Sequence, residues 1–286
     1  MEEGRRRFSR ATVAALSLST WSWTRQLTTT TTTTQSTTTA VSLKELTYVL
    51  GEIFEAGSHT TSGALEVIVL ACVSRPEAMR RLQAELDENV GQSRLPTFED
   101  LSNLPYTRAF IEEVFRWQPL APSGVPLAPS GVPHAPIQED HYDGFRIPEG
   151  SAVVANHWSL DMDQDIFQDA QDFLPERWLD DSQLPLAAFG FGRRTCPGQT
   201  LARNSLLVVV SRLLWAFDIQ WKEGQAQQLE SLDFTHEGIF SKPCPFEAVF
   251  TVRSTVHAAV VRKGWEAGDG VEGDGEAILN AIGSAS

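Results

Sequence analysis

A mainly α-helical fold with a minor β portion is what this sequence predicts, and three observations predict it. Apolar residues recur at helical spacing over residues 42–74, 76–90 and 104–117. A strand-prone stretch follows at residues 141–155. A Gly-rich run at residues 189–198 then delivers one cysteine to the start of a further apolar helix.

In chain order, Arg5, Arg6, Arg7 and Arg10 precede a weakly apolar stretch, residues 11–18, that faintly resembles a transit or signal peptide, though Glu2, Glu3 and the lack of a clear cleavage site count against it. The threonine run at 28–34, continued through Thr39, has no apolar face to bury. Residues 1–41 are therefore expected to form a disordered Arg/Thr-rich segment. Ser42 can cap a helix with Glu45 at the third position beyond it, and Leu46, Val49, Leu50, Ile53 and Phe54 follow on one face. This helix is expected to run to about residue 74, where Pro76 opens a charged amphipathic helix that Gly91 ends. Ala109, Phe110, Val114 and Trp117 repeat the pattern, stopping before Pro119.

Residues 141–147 read as one arm of a hairpin, Pro148-Glu149-Gly150 as its turn, and residues 151–155 as the other arm. A loop-dominated segment leads to Phe191, a helix covers about 197–216, and short strands lie near 217–221 and 246–252. From Gly264 onward glycine mixes with Asp and Glu, so residues 264–286 read as an acidic Gly-rich tail and 42–263 as the ordered body. Inside that body the heptapeptide of residues 119–125 is repeated at once as 126–132. Seven additional residues reach about 23 Å when extended, so the second copy is expected to bulge out as a loop.

Composition narrows the function classes. Of 286 residues 42% are hydrophobic, enough for a sizeable core. Lys and Arg number 23 against 37 Asp and Glu, and the net charge of −14 repels nucleic acid and anionic lipid over most of the surface. Cys72, Cys196 and Cys244 are far apart with no CxxC pair, which fits neither a disulfide framework nor a zinc site. The longest apolar stretch, residues 65–73, is about half of the roughly 20 residues that a spanning helix needs, so no transmembrane anchor is expected.

The run Phe189-Gly190-Phe191-Gly192-Arg193-Arg194-Thr195-Cys196-Pro197-Gly198 carries the chemistry. Amides and dipole at a helix N-terminus favour thiolate over thiol, which a metal-ligating cysteine needs. Glycines there let backbone approach a flat macrocycle, and the Arg194 guanidinium could hold a carboxylate. Alone, a single cysteine after a turn is more often a buried structural residue. The full ten-residue pattern reverses that preference.

This run resembles the haem-ligand signature of the cytochrome P450 family, Phe-x-x-Gly-x-Arg-x-Cys-x-Gly, at every required position. The resemblance covers residues 42–263 and implies a P450-type fold, the C-terminal, haem-binding half of a eukaryotic-type member, with the N-terminal half expected to be missing. It implies haem b with Cys196 as axial thiolate, which favours O–O cleavage. Phe189, Gly192 and Gly198 shape the ligand loop, and Arg194 and His134 hold haem propionates. Glu113 and Arg116, spaced for an i,i+3 ion pair, join Arg177 of Pro175-Glu176-Arg177-Trp178 in a buried triad supporting the haem pocket. Ala56-Gly57-Ser58-His59-Thr60-Thr61 is similar to the family's oxygen-activating segment, where Gly57 and Thr60 open the helix locally and Thr60 passes protons toward dioxygen. His59 stands where the family usually carries Asp or Glu, and imidazole can also shuttle protons near neutral pH. Cys72 is expected to be inert core, and Ile239 and Phe240 to line the substrate pocket near Cys244.

By resemblance the activity is insertion of one oxygen atom of O2 into a small apolar organic substrate. NADPH enters only indirectly, through a flavoprotein reductase, and the family typically sits on the cytosolic face of the endoplasmic reticulum membrane. Two other readings stay open: a non-catalytic truncated remnant with weak haem retention, and a thiolate-haem isomerase or dehydratase.

Overall fold

The computed structural model describes residues 42–121, 132–180, 183–224, 234–237 and 240–267. The expectations for residues 1–41, for most of the 119–132 repeat and for Ile239 lie outside the described residues. The mainly helical architecture is borne out.

Ser42 and Glu45 form the expected capping box: the Ser42 hydroxyl accepts from the Glu45 amide at 3.2 Å, and the Glu45 carboxylate accepts from the Ser42 amide at 2.8 Å. Helix α1, Leu43–Ser74, follows. Pro76 opens α2, Pro76–Asn89, which stops at Gly91 in a left-handed conformation, φ 74°. A 3-10 turn at Phe98–Asn103 leads into α3, Pro105–Trp117.

The hairpin differs from the expected one. Strand β1, Asp140–Tyr142, pairs antiparallel with β2, Phe145–Ile147, around Asp143 and Gly144 at φ 48° and 80°. Residues 140–147 thus form a whole hairpin, because two consecutive positive-φ residues match the twist of a two-residue connection. Pro148–Ser151 makes a separate turn, after which Val153 and His134 exchange backbone hydrogen bonds at 2.8 and 2.7 Å.

Short helices α4, His157–Asp161, and α5, Arg177–Asp180, lead to a 3-10 turn at Gly192–Arg194 and then to α6, Gln199–Ala216. Strand β3, Phe217–Trp221, pairs antiparallel with β6, Ala248–Val252; β4, Phe234–Glu237, pairs with β5, Phe240–Pro243.

The core lies where the C-terminal half of α1 meets α2, α3 and α6, enclosing Ile68, Leu82, Leu86, Phe110, Leu207 and Trp215. Enclosing each such large side chain contributes about 1.5–3 kcal/mol. The other half of α1 is bare: Leu43, Leu46, Val49, Leu50, Ile53 and Phe54 are exposed. Contrary to expectation, α1 is long and apolar enough to cross a membrane, with half of its most apolar window buried inside the fold. The shorter apolar run at 65–73 hid this length, since Gly, Ser, His and Thr of residues 57–62 interrupt the run but not the helix.

Helix α7, Thr255–Ala267, extends into the segment read as an acidic tail. Arg253, just before it, grips Asp87 of α2 with two hydrogen bonds of 2.6 and 3.0 Å. His257 is buried with its ring edge-on to Trp215, centroids 4.4 Å apart, and a Cβ at Gly264 would stand 3.2 Å from Leu95. Tertiary contacts, not composition, decide this helix.

Burial, and then the nearby Arg253 guanidinium, hold the His257 imidazole below its ordinary range, opposed by Asp87 and Asp218. The unfolded chain therefore binds the proton more readily, and this site's contribution to stability is full above the imidazole's unfolded pKa and lost as pH falls through it. We expect Trp215 fluorescence to report a loosening of α7 as pH falls from neutral to mildly acidic values, and His257→Phe to remove that transition; an identical titration in the variant would refute the assignment.

Candidate functional site

The cysteine loop is built from its glycines. Gly190 and Gly192 take φ 72° and 61°, where a side chain would be strained, and the Gly190 amide donates to the Ala187 carbonyl at 2.8 Å. The Cys196 amide donates to the Phe189 carbonyl at 2.8 Å, closing the loop at its base. Helix α6 begins three residues later at Gln199, and a Cβ at Gly198 would lie 3.8 Å from Cys196 Sγ. Cys196 is unpaired and half-buried, so its sulfur sits near a helix N-terminus without a disulfide partner. Cys72, by contrast, is fully buried, and burial pushes its thiol up, as expected for inert core.

Aromatic contacts hold the loop. Phe189 meets Phe115 of α3 edge-on at 5.1 Å. Phe191 is exposed and meets the His157 ring edge-on at 5.8 Å, while His157 Nδ1 donates to the Ala121 carbonyl at 3.3 Å. Burial lowers the His157 pKa from the usual histidine value, so the neutral ring that makes this bond is favoured.

The surroundings fit a flat iron macrocycle with one protein ligand. A Cβ at Gly57, Gly190 or Gly192 would meet nothing within 4 Å, so both the helix and the loop leave open space beside their glycines. Arg194 and His134 are exposed and could reach carboxylates. Cys196 is the cysteine at the mouth of this loop, and a thiolate is one of the protein ligands such a group takes.

The segment Gly57–Thr60 gives a correction. Helix α1 is unbroken here, so the expected local opening is absent: the Thr60 and Ser58 hydroxyls each donate to the carbonyl four residues back, Ala56 and Phe54, at 2.7 Å. His59 is exposed, its ring 6.4 Å from that of Phe240 on β5. The Ser241 amide donates to the Leu120 carbonyl at 2.7 Å, and Leu120 Cδ2 sits 3.0 Å from where a Cβ of Gly63 would stand. Strand β5, with Cys244 just beyond it, therefore lies against the same helix as Thr60.

Glu113, Arg116 and Arg177 are brought together. Glu113 and Arg116 are fully buried, and the guanidinium meets both carboxylate oxygens, Nε to Oε2 at 2.9 Å and Nη2 to Oε1 at 2.7 Å. Arg177 Nε donates to Glu113 Oε1 at 3.3 Å, the Leu174 amide to Oε1 at 2.8 Å, and Trp178 Nε1 to Oε2 at 2.9 Å. Arg116 also donates to the carbonyls of Asp161, Ala170 and Asp172 at 2.8–2.9 Å. Arg177 donates to those of Gln168 and Asp169, the latter at positive φ 52°. Phe167 lies beneath both guanidinium groups, at 5.2 and 6.0 Å. Five donors on one carboxylate and a carbonyl cage around the arginines satisfy charges that would otherwise be costly to bury.

Sequence reasoning missed three members of this neighbourhood. Trp178 follows directly on Arg177, and its indole N–H is a donor that a buried tryptophan must place. His157 carries no sequence pattern. Asp161 is buried with neither carboxylate oxygen hydrogen-bonded among the described residues, and desolvation pushes its pKa to about 7 against the opposing pull of Arg116.

Comparison with known proteins accounts for this geometry. The family model for Cytochrome P450 matches residues 7–249. The chain is 43% identical to the Cytochrome P450 monooxygenase aneD of Aspergillus aculeatus over 88% of its own length and 48% of the relative's. It is 39% identical to the Cytochrome P450 monooxygenase FrzL of Cladobotryum over 99% and 52%, and 38% identical to the Fumitremorgin C synthase of Neosartorya fischeri over 87% and 47%. A zebra fish cytochrome P450 solved with abiraterone superposes with a TM-score of 0.66 at 29% identity, covering 77% of this chain and 50% of that one. This chain belongs to the cytochrome P450 family, whose members carry haem iron, and the relatives from Aspergillus aculeatus and Cladobotryum are named monooxygenases. The chain spans about half the length of these relatives. The match takes in part of residues 1–41, which the sequence set apart, and ends before α7.

Two outcomes follow for this network. Glu113→Ala leaves Arg116 buried without its counterion and should cost about 3–5 kcal/mol, whereas Glu139→Ala, which breaks the exposed Arg146–Glu139 pair, should cost about 0–1 kcal/mol; equal losses in chemical denaturation would refute the buried role. For Asp161 the folded-state pKa exceeds the ordinary 3.8, so the folded protein binds the proton more tightly and loses stability as pH rises between the two values. Asp161→Asn should accordingly flatten the fall in stability between about pH 4 and pH 7, the window those two values set; an unchanged profile would show that the carboxyl is solvated.

Proposed function

We propose that this chain forms the haem-thiolate half of a monooxygenase, in which the Cys196 thiolate would hold the iron. The observation that carries this reading is the half-buried, unpaired Cys196 held at the N-terminus of α6 by a glycine loop whose base is closed by its own amide. Haem iron ligated by thiolate would supply oxygen activation.

The chain's own residues then have assignable tasks. The glycines at 190, 192 and 198 keep side chains away from the macrocycle, and the α6 N-terminus favours the thiolate. Arg194 and His134 bind propionates, and Phe189 packs under the loop. Thr60 on α1, whose hydroxyl now donates to the Ala56 carbonyl, would supply a proton from that hydroxyl. His59, beside Phe240, takes protons from solvent and relays them. The β5 turn and Leu120 exclude water from an apolar substrate. Glu113, Arg116 and Arg177 position this frame from behind. Electrons come from a flavoprotein reductase that oxidises NADPH.

The test is the carbon-monoxide difference spectrum of the dithionite-reduced, haem-reconstituted chain. The wild type, Cys72→Ser and Cys244→Ser should give the thiolate-type band, and Cys196→Ser should lose it. Retention of that band in Cys196→Ser would overturn the assignment.

A further inference from the structure

We infer that Glu112 and Arg203 form a positioning pair that holds the Cys196 loop closed by clamping the Phe189 ring. The inference rests on the haem-thiolate reading for its purpose and on the geometry alone for its existence.

Arg203 stands in the second turn of α6, and its Nη2 lies 3.3 Å from Glu112 Oε2 on α3. Glu112 neighbours Glu113 but leaves the helix on another face, outside the Arg116 network. Its side chain is only 14% exposed and that of Arg203 35%. Burial pushes the Glu112 carboxyl up, and Arg203, then Arg108, oppose this. Neither Glu112 Oε2 nor Arg203 Nε has a hydrogen-bond partner among the described residues, so this is a charge contact rather than a hydrogen-bonded fork. The guanidinium is instead spent on the loop: its carbon lies 5.0 Å from the Phe189 ring centroid.

Phe189 is thus held from two sides, by Arg203 of α6 and by Phe115 of α3. Its carbonyl is the acceptor for the Cys196 amide. A ring that cannot rock keeps that carbonyl in place, and the amide it binds belongs to the residue that carries the sulfur. Glu112 anchors the cation that anchors the ring. The pair therefore joins α3, α6 and the loop at a point where loop motion would move Sγ.

The experiment measures amide hydrogen exchange across residues 189–198 in the full chain, haem-free and haem-loaded, for wild type, Arg203→Met, Arg203→Lys and Glu112→Gln. Arg203 is partly exposed, so these variants should fold. Arg203→Met should accelerate exchange at Cys196 several-fold, Glu112→Gln less, and Arg203→Lys, which keeps a cation over the ring, least, with α2 amides unchanged. Unchanged exchange at Cys196 in Arg203→Met, or equal acceleration in α2, would overturn the clamp. In the haem-loaded chains, Arg203→Met should convert the thiolate-type carbon-monoxide band to the thiol type several-fold faster than wild type, with rescue by Arg203→Lys. A wild type with no thiolate-type band would overturn the haem-thiolate reading, and the exchange measurement on the haem-free chain would still decide the clamp.

Discussion

The Glu113 carboxylate, buried at the centre of α3, is the constraint on which the surrounding structure depends. A bare carboxylate there would be untenable, so the chain brings it Arg116, Arg177, Trp178 and the Leu174 amide. Those arginines are buried in turn and need acceptors; the end of α4 presents the Asp161 carbonyl, and the loop between α4 and α5 curls to present those of Gln168, Asp169, Ala170 and Asp172. A segment almost without regular structure is thereby given one conformation. The left-handed Asp169 is local strain that this cage holds in place.

The same helix connects that cage to the cysteine. From one face of α3 Glu113 reaches back into the network, and from others Phe115 meets Phe189 and Glu112 meets Arg203. The back of the fold is therefore joined to the loop that presents Sγ by packed rings and an ion pair rather than by a single linker. Preorganisation of this kind would matter if the sulfur ligates haem iron as proposed, because the distance and direction of a metal ligand are best fixed before the metal binds.

Helix α1 shows two environments in one element. Its C-terminal half is core, and its N-terminal half carries a bare apolar stripe through Leu46, Leu50 and Ile53. The segment with Gly57, His59 and Thr60 lies at the boundary, where the helix passes from exposed to packed.

The sequence by itself determined the helices with local signals. The Ser42–Glu45 box, Pro76, Gly91 and the apolar spacing of α3 and α6 act within a few residues, so they are legible without a fold. It also marked Cys196 and the Glu113–Arg116–Arg177 set, because the family's chemistry fixes residue types at fixed spacing. Only the tertiary structure decided the rest. Trp178, His157 and Asp161 gain their roles from partners up to 65 residues away. Arg203 becomes distinctive only when α6 sets it over Phe189. The run ending at Ala267 reads as polar tail until Asp87, Trp215 and Leu95 supply a surface for α7. The unbroken helix at Thr60 was likewise beyond reach, because choosing between a back-bonded hydroxyl and an opened turn depends on what lies across from it.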